Sequence, residues 1–142
     1  MKIYTDASFD QKEGIAGIGI LIKDGLKERV HSTWTKANNI NEAELFAIYI
    51  AGILSEGRGT IYTDSQSAIS YINNEVKEKP RTKEQYLNYM QCKFWASKIN
   101  KLGNISIEKI KAHEHKFQIH SLGNRRADLL AQEGRSKFYH YR

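Results

Sequence analysis

The chain has 142 residues and a mass of 16.4 kDa, which is typical of one domain and leaves no room for a second of ordinary size. Hydrophobic residues make up 40% and charged residues 27%, which excludes a disordered chain, and the single cysteine, Cys92, excludes an internal disulfide and a multi-cysteine zinc site. Lysine and arginine (22) outnumber aspartate and glutamate (16), and the net charge of +6 favours a polyanionic partner such as nucleic acid.

Three strands are predicted in the first part of the chain. A short buried pattern covers residues 2–6, β-branched residues and glycines cover residues 15–23, and an alternating pattern covers residues 28–35. The dipeptide Asp24-Gly25 is a hairpin signal, so we expect the second and third strands to pair antiparallel.

Helices and strands alternate in the rest of the chain. Helical patterns cover residues 41–54, 65–74, 82–102 and 124–134, and strand patterns cover residues 59–63 and 105–110. The order β-β-β-α-β-α-α-β-α joins a hairpin to parallel strands with right-handed crossovers. We therefore predict an α/β fold, a mixed sheet flanked by helices on both faces.

One domain is predicted over residues 1–134, followed by a basic and aromatic tail over residues 135–142. The longest apolar and glycine run, residues 45–54, is too short to span a bilayer, and the N-terminus is strand-like rather than signal-like. We expect a cytoplasmic protein that does not bind membranes, and no feature of the sequence requires more than a monomer.

Two aspartates stand in nearly identical contexts. Asp6 and Asp64 each end a Tyr-Thr-Asp segment that follows a predicted buried strand. If these strands are parallel neighbours, both carboxylates lie at one edge of the sheet, where they repel and require a cation. The alternative is that each aspartate caps the segment that follows it.

Two further carboxylates lie on predicted helices. Glu44 shares a core-facing side with Ala47 and Ile48, an unfavourable place for an unpaired charge, although it could instead form a capping box with Asn41. Asp128 stands among apolar residues, and its alternative role is to compensate charge at a helix N-terminus.

Together these four carboxylates describe an oxygen-only site. Oxygen ligands suit Mg²⁺ or Mn²⁺ rather than zinc or copper. Two such ions can activate water and stabilise the leaving oxygen in phosphodiester cleavage, which would explain an acidic centre in a basic protein.

Five segments in order carry a family resemblance across residues 2–134. They are Tyr4-Thr5-Asp6-Ala7-Ser8, Ala43-Glu44-Leu45-Phe46-Ala47, Tyr62-Thr63-Asp64-Ser65-Gln66, Ile110-Lys111-Ala112-His113 and Asn124-Arg125-Arg126-Ala127-Asp128-Leu129-Leu130-Ala131. The sequence resembles type 1 ribonuclease H. The resemblance implies a five-stranded sheet and a metal-dependent endonuclease that hydrolyses the RNA strand of RNA–DNA hybrids to 5′-phosphate and 3′-hydroxyl ends.

The resemblance also implies residue roles. The metal ligands for two Mg²⁺ ions, with Mn²⁺ as a possible substitute, would be Asp6, Glu44, Asp64 and Asp128. His113 would assist proton transfer or product release, although His115 and His120 compete for that role.

Short polar side chains beside the metals could read the 2′-hydroxyls that distinguish RNA from DNA. Asn41 and Gln66 match the family's groove-contacting positions, and Asn39 and Ser65 are weaker candidates. Asn41 could equally cap a helix, and Gln66 could be a solvated residue of a first helical turn.

Residues 73–83 stand where many bacterial members have a basic helical protrusion, but here the stretch is short, with a net charge of +2 from four basic and two acidic residues. We therefore expect weaker, salt-sensitive hybrid binding. Two other functions are compatible with the sequence: a nuclease-inactive hybrid or duplex binder, and another two-metal nuclease of the same fold.

Overall fold

The computed structural model describes residues 1–111 and 120–141, which form a five-stranded sheet with four helices. The strands are β1 (Lys2–Asp10), β2 (Ile15–Asp24), β3 (Lys27–Lys36), β4 (Thr60–Thr63) and β5 (Ser106–Lys109). The helices are α1 (Ile40–Leu54), α2 (Gln66–Ile72), α3 (Lys83–Asn100) and α4 (Ser121–Tyr141). Within the described residues, no helix is long and apolar enough to cross a membrane.

The sheet has the order β3-β2-β1-β4-β5. The first three strands pair antiparallel, whereas β1 with β4 and β4 with β5 pair parallel, which confirms the predicted mixed sheet. Asp24 pairs with Lys27 across a two-residue hairpin, and Gly25 supplies the positive φ of +64° that this turn requires.

The central strand β1 extends beyond its parallel neighbour. β4 pairs with β1 only at Lys2, Ile3 and Tyr4, whereas β2 pairs with β1 as far as Asp10. The edge of β1 that faces β4 is therefore open after Tyr4, and backbone groups there need other partners.

One face of the sheet packs against α1, α2 and α3 through a large apolar core. Isoleucines of β1, β2 and β4 contact small and aliphatic residues of the helices. The fully buried members include Ile3, Ile18, Ile20, Ile61, Leu45, Ile48 and Ala51. This core fixes α1 over the centre of the sheet.

The opposite face packs against α4 by close backbone contact. A Cβ atom added to Gly17 would lie 1.9 Å from the Ala131 carbonyl oxygen, and one added to Gly19 would lie 2.1 Å from that of Ala127. The glycines of β2 therefore let the helix backbone rest directly on the strand, where a side chain would not fit.

The start of α1 differs from the sequence prediction. The helix begins at Ile40, and Asn39 is its N-cap, because the Asn39 side chain accepts a hydrogen bond from the Glu42 N–H at 2.8 Å. The prediction that Asn41 caps this helix is wrong, since Asn41 already lies inside the first turn.

The last helix is longer than predicted. It continues to Tyr141 rather than ending near Gly134, because its final turns find partners on the sheet. Lys137 donates to the Ser32 carbonyl at 2.7 Å, and the Phe138 ring packs edge-on against Trp34 at 4.9 Å.

Candidate active site

Asp6 and Asp64 lie on neighbouring parallel strands. Tyr4 of β1 pairs with Tyr62 of β4, and Asp6 lies two residues further along β1 on the same face as Tyr4. Asp64 directly follows Thr63, the last residue of β4. The structure thus brings the two aspartates to one edge, as their shared sequence context predicts.

Glu44 reaches this edge from α1. Its Oε1 atom accepts a hydrogen bond of 2.9 Å from the Ala7 N–H, on the part of β1 that β4 does not cover. The capping-box alternative for Glu44 is wrong, because Asn39 and Glu42 make the contacts at the helix N-terminus. Glu44 therefore joins a helix to an open strand edge.

Asp6, Glu44 and Asp64 form a compact group, which we call the acidic triad. Each contributes one carboxylate oxygen, and these three oxygens lie within 4.8 Å of one another. Glu44 is 4% exposed and Asp6 is 8% exposed, and among the described residues no lysine or arginine forms an ion pair with either of them. The triad therefore brings together three carboxyl groups, two buried and one half-buried.

The electrostatics of the triad reflect burial and mutual repulsion. Burial, followed by the neighbouring Asp64 carboxylate, raises the pKa of Asp6 to about 7. Burial, together with the Asp6 and Asp64 carboxylates, raises the pKa of Glu44 well above its ordinary value. Both shifts show that the ionised triad is unfavourable unless a cation is bound.

The donor set fits a hard divalent cation. The Glu44 Oε2 atom is buried and has no hydrogen-bond partner among the described residues, although its companion oxygen is bonded to β1. A buried carboxylate oxygen without a partner is costly, and a cation would satisfy it. Three carboxylate oxygens are the ligand type that Mg²⁺ and Mn²⁺ prefer.

Asp128 lies near the triad but outside it. Its negative charge contributes to raising the pKa of Asp6, yet it is not among the residues whose oxygens lie within 4.8 Å of one another. It is half-buried, and its Oδ2 atom accepts a hydrogen bond of 3.2 Å from Gln132 on the same helix. The structure thus brings three of the four predicted ligands together and holds the fourth at a greater distance.

Comparison of sequences decides the family. A sequence model of the RNase H family matches residues 1–136. The chain belongs to the RNase H family. No curated protein sequence matches the chain at a significant level.

Solved structures show the RNase H fold. RNase H1 from the halophilic archaeon Halobacterium salinarum NRC-1 is 17% identical, with a TM-score of 0.65 over 96% of this chain and 97% of that one. LC11-RNase H1, isolated from compost by a metagenomic approach, is 24% identical, with a TM-score of 0.66 over 97% of this chain and 96% of that one. A foamy viral protease–reverse transcriptase in complex with dsDNA is 22% identical, with a TM-score of 0.61 over 94% of this chain and 92% of that one.

A wide groove of about 1550 Å³ runs between α1, α2 and α3 in this RNase H fold. Asn39, Asn41 and Gln66, three of the four residues predicted to contact substrate, line it. Asn39 also caps α1, so its side-chain carbonyl oxygen is in use. Ser65 is not among the lining residues, and its hydroxyl caps α2 by accepting from the Ala68 N–H at 3.1 Å.

The short basic stretch forms one wall of the same groove. Lys77, Lys79 and Arg81 line it, together with Glu75 and Glu78. These residues precede α3 without regular secondary structure, in contrast to the helical protrusion of many bacterial RNases H. The groove therefore has both polar amides and a mildly basic segment among its lining residues.

The candidate histidines separate into two groups. His113 and His115 lie outside the described residues, so the role assigned to His113 stays a prediction. His120 is half-buried at the start of α4, where its Nδ1 atom and the Tyr4 hydroxyl share a hydrogen bond of 2.9 Å. His120 is therefore held by the fold and is not a solvated loop residue.

Sequence reasoning missed several residues beside the site. The Tyr-Thr-Asp repeat was a signal, but its tyrosines, Tyr4 and Tyr62, attracted no role, although both are buried beside the aspartates they precede. Asn124 is 8% exposed, and its Oδ1 atom has no hydrogen-bond partner in the described part of the chain. Asn124 stands four residues before Asp128 in the segment that carries the resemblance, but the sequence alone indicates no role for it.

Proposed function

We propose that this RNase H family member is a divalent-metal-dependent endonuclease that hydrolyses the RNA strand of RNA–DNA hybrids, leaving 5′-phosphate and 3′-hydroxyl ends. The observation that supports this most strongly is the acidic triad, in which the buried Oε2 atom of Glu44 has no hydrogen-bond partner within residues 1–111 and 120–141. A protein that only bound nucleic acid would gain nothing from buried anions beside a phosphate backbone.

The triad would hold the cations, two Mg²⁺ or two Mn²⁺, with Asp128 as an additional ligand from α4. When bound, such a pair of ions supplies an activated water and stabilises the leaving oxygen of the phosphodiester. The protein contributes the preset positions of its carboxylates. Asp6 and Asp64 are fixed by the sheet, and Glu44 is fixed by its hydrogen bond to the Ala7 N–H.

The groove supports the choice of substrate. Asn41 and Gln66 place amide groups in a wide, open groove, where they can donate to and accept from the 2′-hydroxyls of an RNA strand. Lys77 and Lys79 line the same groove and can contact phosphates of the partner strand. A hybrid offers both features, with hydroxyls on one strand only.

The test is a cleavage assay with a hybrid, a DNA duplex and an RNA duplex of one sequence, each labelled on one strand and incubated with Mg²⁺ or Mn²⁺. We expect cleavage of the labelled RNA in the hybrid, and loss of that cleavage in Asp64→Asn. The matched control is Asp24→Asn, which makes the same change in the exposed β2–β3 hairpin.

Three outcomes have distinct meanings. Cleavage by the parent chain and Asp24→Asn, but not by Asp64→Asn, supports the proposal. Retention of the hybrid in a gel without cleavage under either metal would instead identify a nuclease-inactive binder. Faster cleavage of the DNA duplex than of the hybrid would identify another two-metal nuclease of this fold.

A further inference from the structure

Three aromatic side chains near the ends of β1 and β4 and the start of α4 form a cluster. The rings of Tyr4 and Tyr62 stack with centroids 5.2 Å apart, and the His120 ring lies 4.1 Å from Tyr62. The Tyr4 hydroxyl and His120 Nδ1 share a hydrogen bond of 2.9 Å. We call Tyr4, Tyr62 and His120 the aromatic clamp.

The clamp holds the start of α4. The His120 carbonyl accepts a hydrogen bond of 3.0 Å from the Asn124 N–H, so the histidine backbone closes the first turn of the helix. Gly123 lies directly on the Tyr4 ring, since a Cβ atom added there would come within 2.6 Å of three ring atoms. The first turn of α4 therefore packs directly against the Tyr4 ring.

Two members of the clamp stand two residues before a carboxylate of the site, and the third directly precedes the helix that carries Asp128. Tyr4 precedes Asp6 by two residues in β1, and Tyr62 precedes Asp64 by two residues at the end of β4. Because side chains alternate along a strand, Tyr4 lies on the same face of β1 as Asp6. His120 lies at the start of the helix that carries Asp128.

We propose that the aromatic clamp sets the distance between Asp128 and the acidic triad, and that His120 is a positioning residue rather than a proton-transfer residue. The ring of His120 packs against Tyr62 at an interplanar angle of 32°, and its Nδ1 atom is hydrogen-bonded with Tyr4, so it is not free to approach a reacting phosphate. Asp128 does not belong to the compact group of triad oxygens, and its position depends on how α4 is seated. The expected effect on catalysis rests on the proposed function, whereas the expected effect on cation binding does not.

The first test measures Mn²⁺ binding by calorimetry, which does not depend on activity. Tyr4→Phe keeps the ring and removes the hydroxyl, and His120→Phe keeps a stacked ring and removes Nδ1. We expect each to weaken Mn²⁺ binding about tenfold, as loss of an outer hydrogen bond around metal ligands does. Tyr86→Phe on exposed α3 is the matched control and should bind Mn²⁺ as the parent chain does.

The second test asks whether the clamp acts through Asp128. If it does, His120→Phe should lower kcat in the parent chain and have little further effect in the Asp128→Asn background. A general loss of folding would lower activity in both backgrounds, and thermal melts of each variant reveal that case.

The results separate this inference from the proposed function. Unchanged Mn²⁺ binding by both Tyr4→Phe and His120→Phe would overturn the inference even if the chain cleaves hybrids. An altered pH profile of kcat in His120→Phe but not in Tyr4→Phe would overturn it in favour of proton transfer. If the parent chain cleaves no hybrid, tenfold weaker Mn²⁺ binding by both variants still supports the clamp.

Discussion

The two faces of the sheet meet their helices in different ways. On the face of α1, isoleucine side chains of β1, β2 and β4 interdigitate with a large apolar core. On the face of α4, Gly17 and Gly19 of β2 bring a strand and a helix into backbone contact. On the first face packed side chains separate the strands from the helices, whereas on the second the two backbones are in direct contact.

The same difference separates the two helical carboxylates. Glu44 of α1 lies within the acidic triad and is anchored by a direct hydrogen bond to β1. Asp128 of α4 has its hydrogen bond within its own helix, so its place relative to the triad follows from the seating of the whole helix. A direct hydrogen bond to β1 thus fixes Glu44, whereas the packing of α4 on the sheet sets the position of Asp128.

The largest difference is expected in catalysis. Glu44→Gln should lower hybrid cleavage by about 10³-fold or more, because several kcal/mol of transition-state stabilisation are lost with a central ligand. Asp128→Asn should lower it less, by about 10- to 100-fold, because Asp128 would be an additional ligand outside the compact triad and asparagine keeps one oxygen that can bind a cation. Single-turnover rates at saturating Mg²⁺ measure both, with Asp24→Asn as control. Equal losses in the two variants would show that Asp128 is as central as Glu44.

The next difference is expected in stability. Gly19→Ala directs a Cβ atom at the Ala127 carbonyl and should destabilise the fold by about 1–3 kcal/mol or more. Gly52→Ala, on α1, directs its Cβ atom at the end of the Leu102 side chain, which can rotate away. Alanine also favours a helix by about 0.5–1 kcal/mol over glycine, so that change should be nearly neutral. Urea unfolding compares the two, and similar losses would contradict the contrast between the faces.

A smaller effect is expected from pH in the presence of a chelator. The folded state raises the pKa of Asp6 to about 7 from an ordinary value of 3.8, and that of Glu44 also rises. Between about pH 4 and 7 the folded chain therefore holds more protons than the unfolded chain, and stability falls as the pH rises through this window.

Thermal melts at a series of pH values test this dependence. Glu44→Gln should flatten the decline, since it removes one carboxylate from the triad, and Mg²⁺ should flatten it in the parent chain by binding the ionised form. Asp24→Asn should leave the decline unchanged. A stability that rises from pH 4 to 7 in chelator would contradict a buried, crowded triad.

The smallest effect concerns the groove. Lys77→Gln/Lys79→Gln should raise KM and leave kcat nearly unchanged, because these residues line the groove and are not part of the acidic triad. The decline of log affinity with log salt concentration should become shallower. Its slope should decrease in magnitude by about 1 to 2, roughly 0.9 for each phosphate that a lysine no longer neutralises. The matched control is Lys23→Gln/Lys27→Gln in the β2–β3 hairpin, and an equal effect there would show that only overall charge matters.

Much of the fold could be predicted from local patterns. Alternation and β-branching located the strands, and Asp24-Gly25 located the hairpin, because a two-residue turn depends on its own residues. The end of α4 was not predictable in this way. Its last turns pack Phe138 on Trp34, and that pairing exists only once β3 and α4 lie side by side.

The candidate site shows the same division. Asp6 and Asp64 could be predicted to meet, because the parallel pairing of two buried strands aligns their ends. Glu44 had two locally plausible roles, and the choice between them depended on the open edge of β1 at Ala7. From the sequence, His120 was only a competitor of His113, and its contacts with Tyr4 and Tyr62 depend on the tertiary structure.

By itself, the sequence determined the family, the order of the elements and the identity of the carboxylates, since each of these is recorded in short segments of neighbouring residues. Only the tertiary structure decided which partner each polar side chain takes. A polar side chain can cap a helix, or it can bond to the backbone of a neighbouring strand or to another side chain. The free energies of these hydrogen bonds are similar. The choice among them depends on residues far apart in the chain, which folding alone brings together.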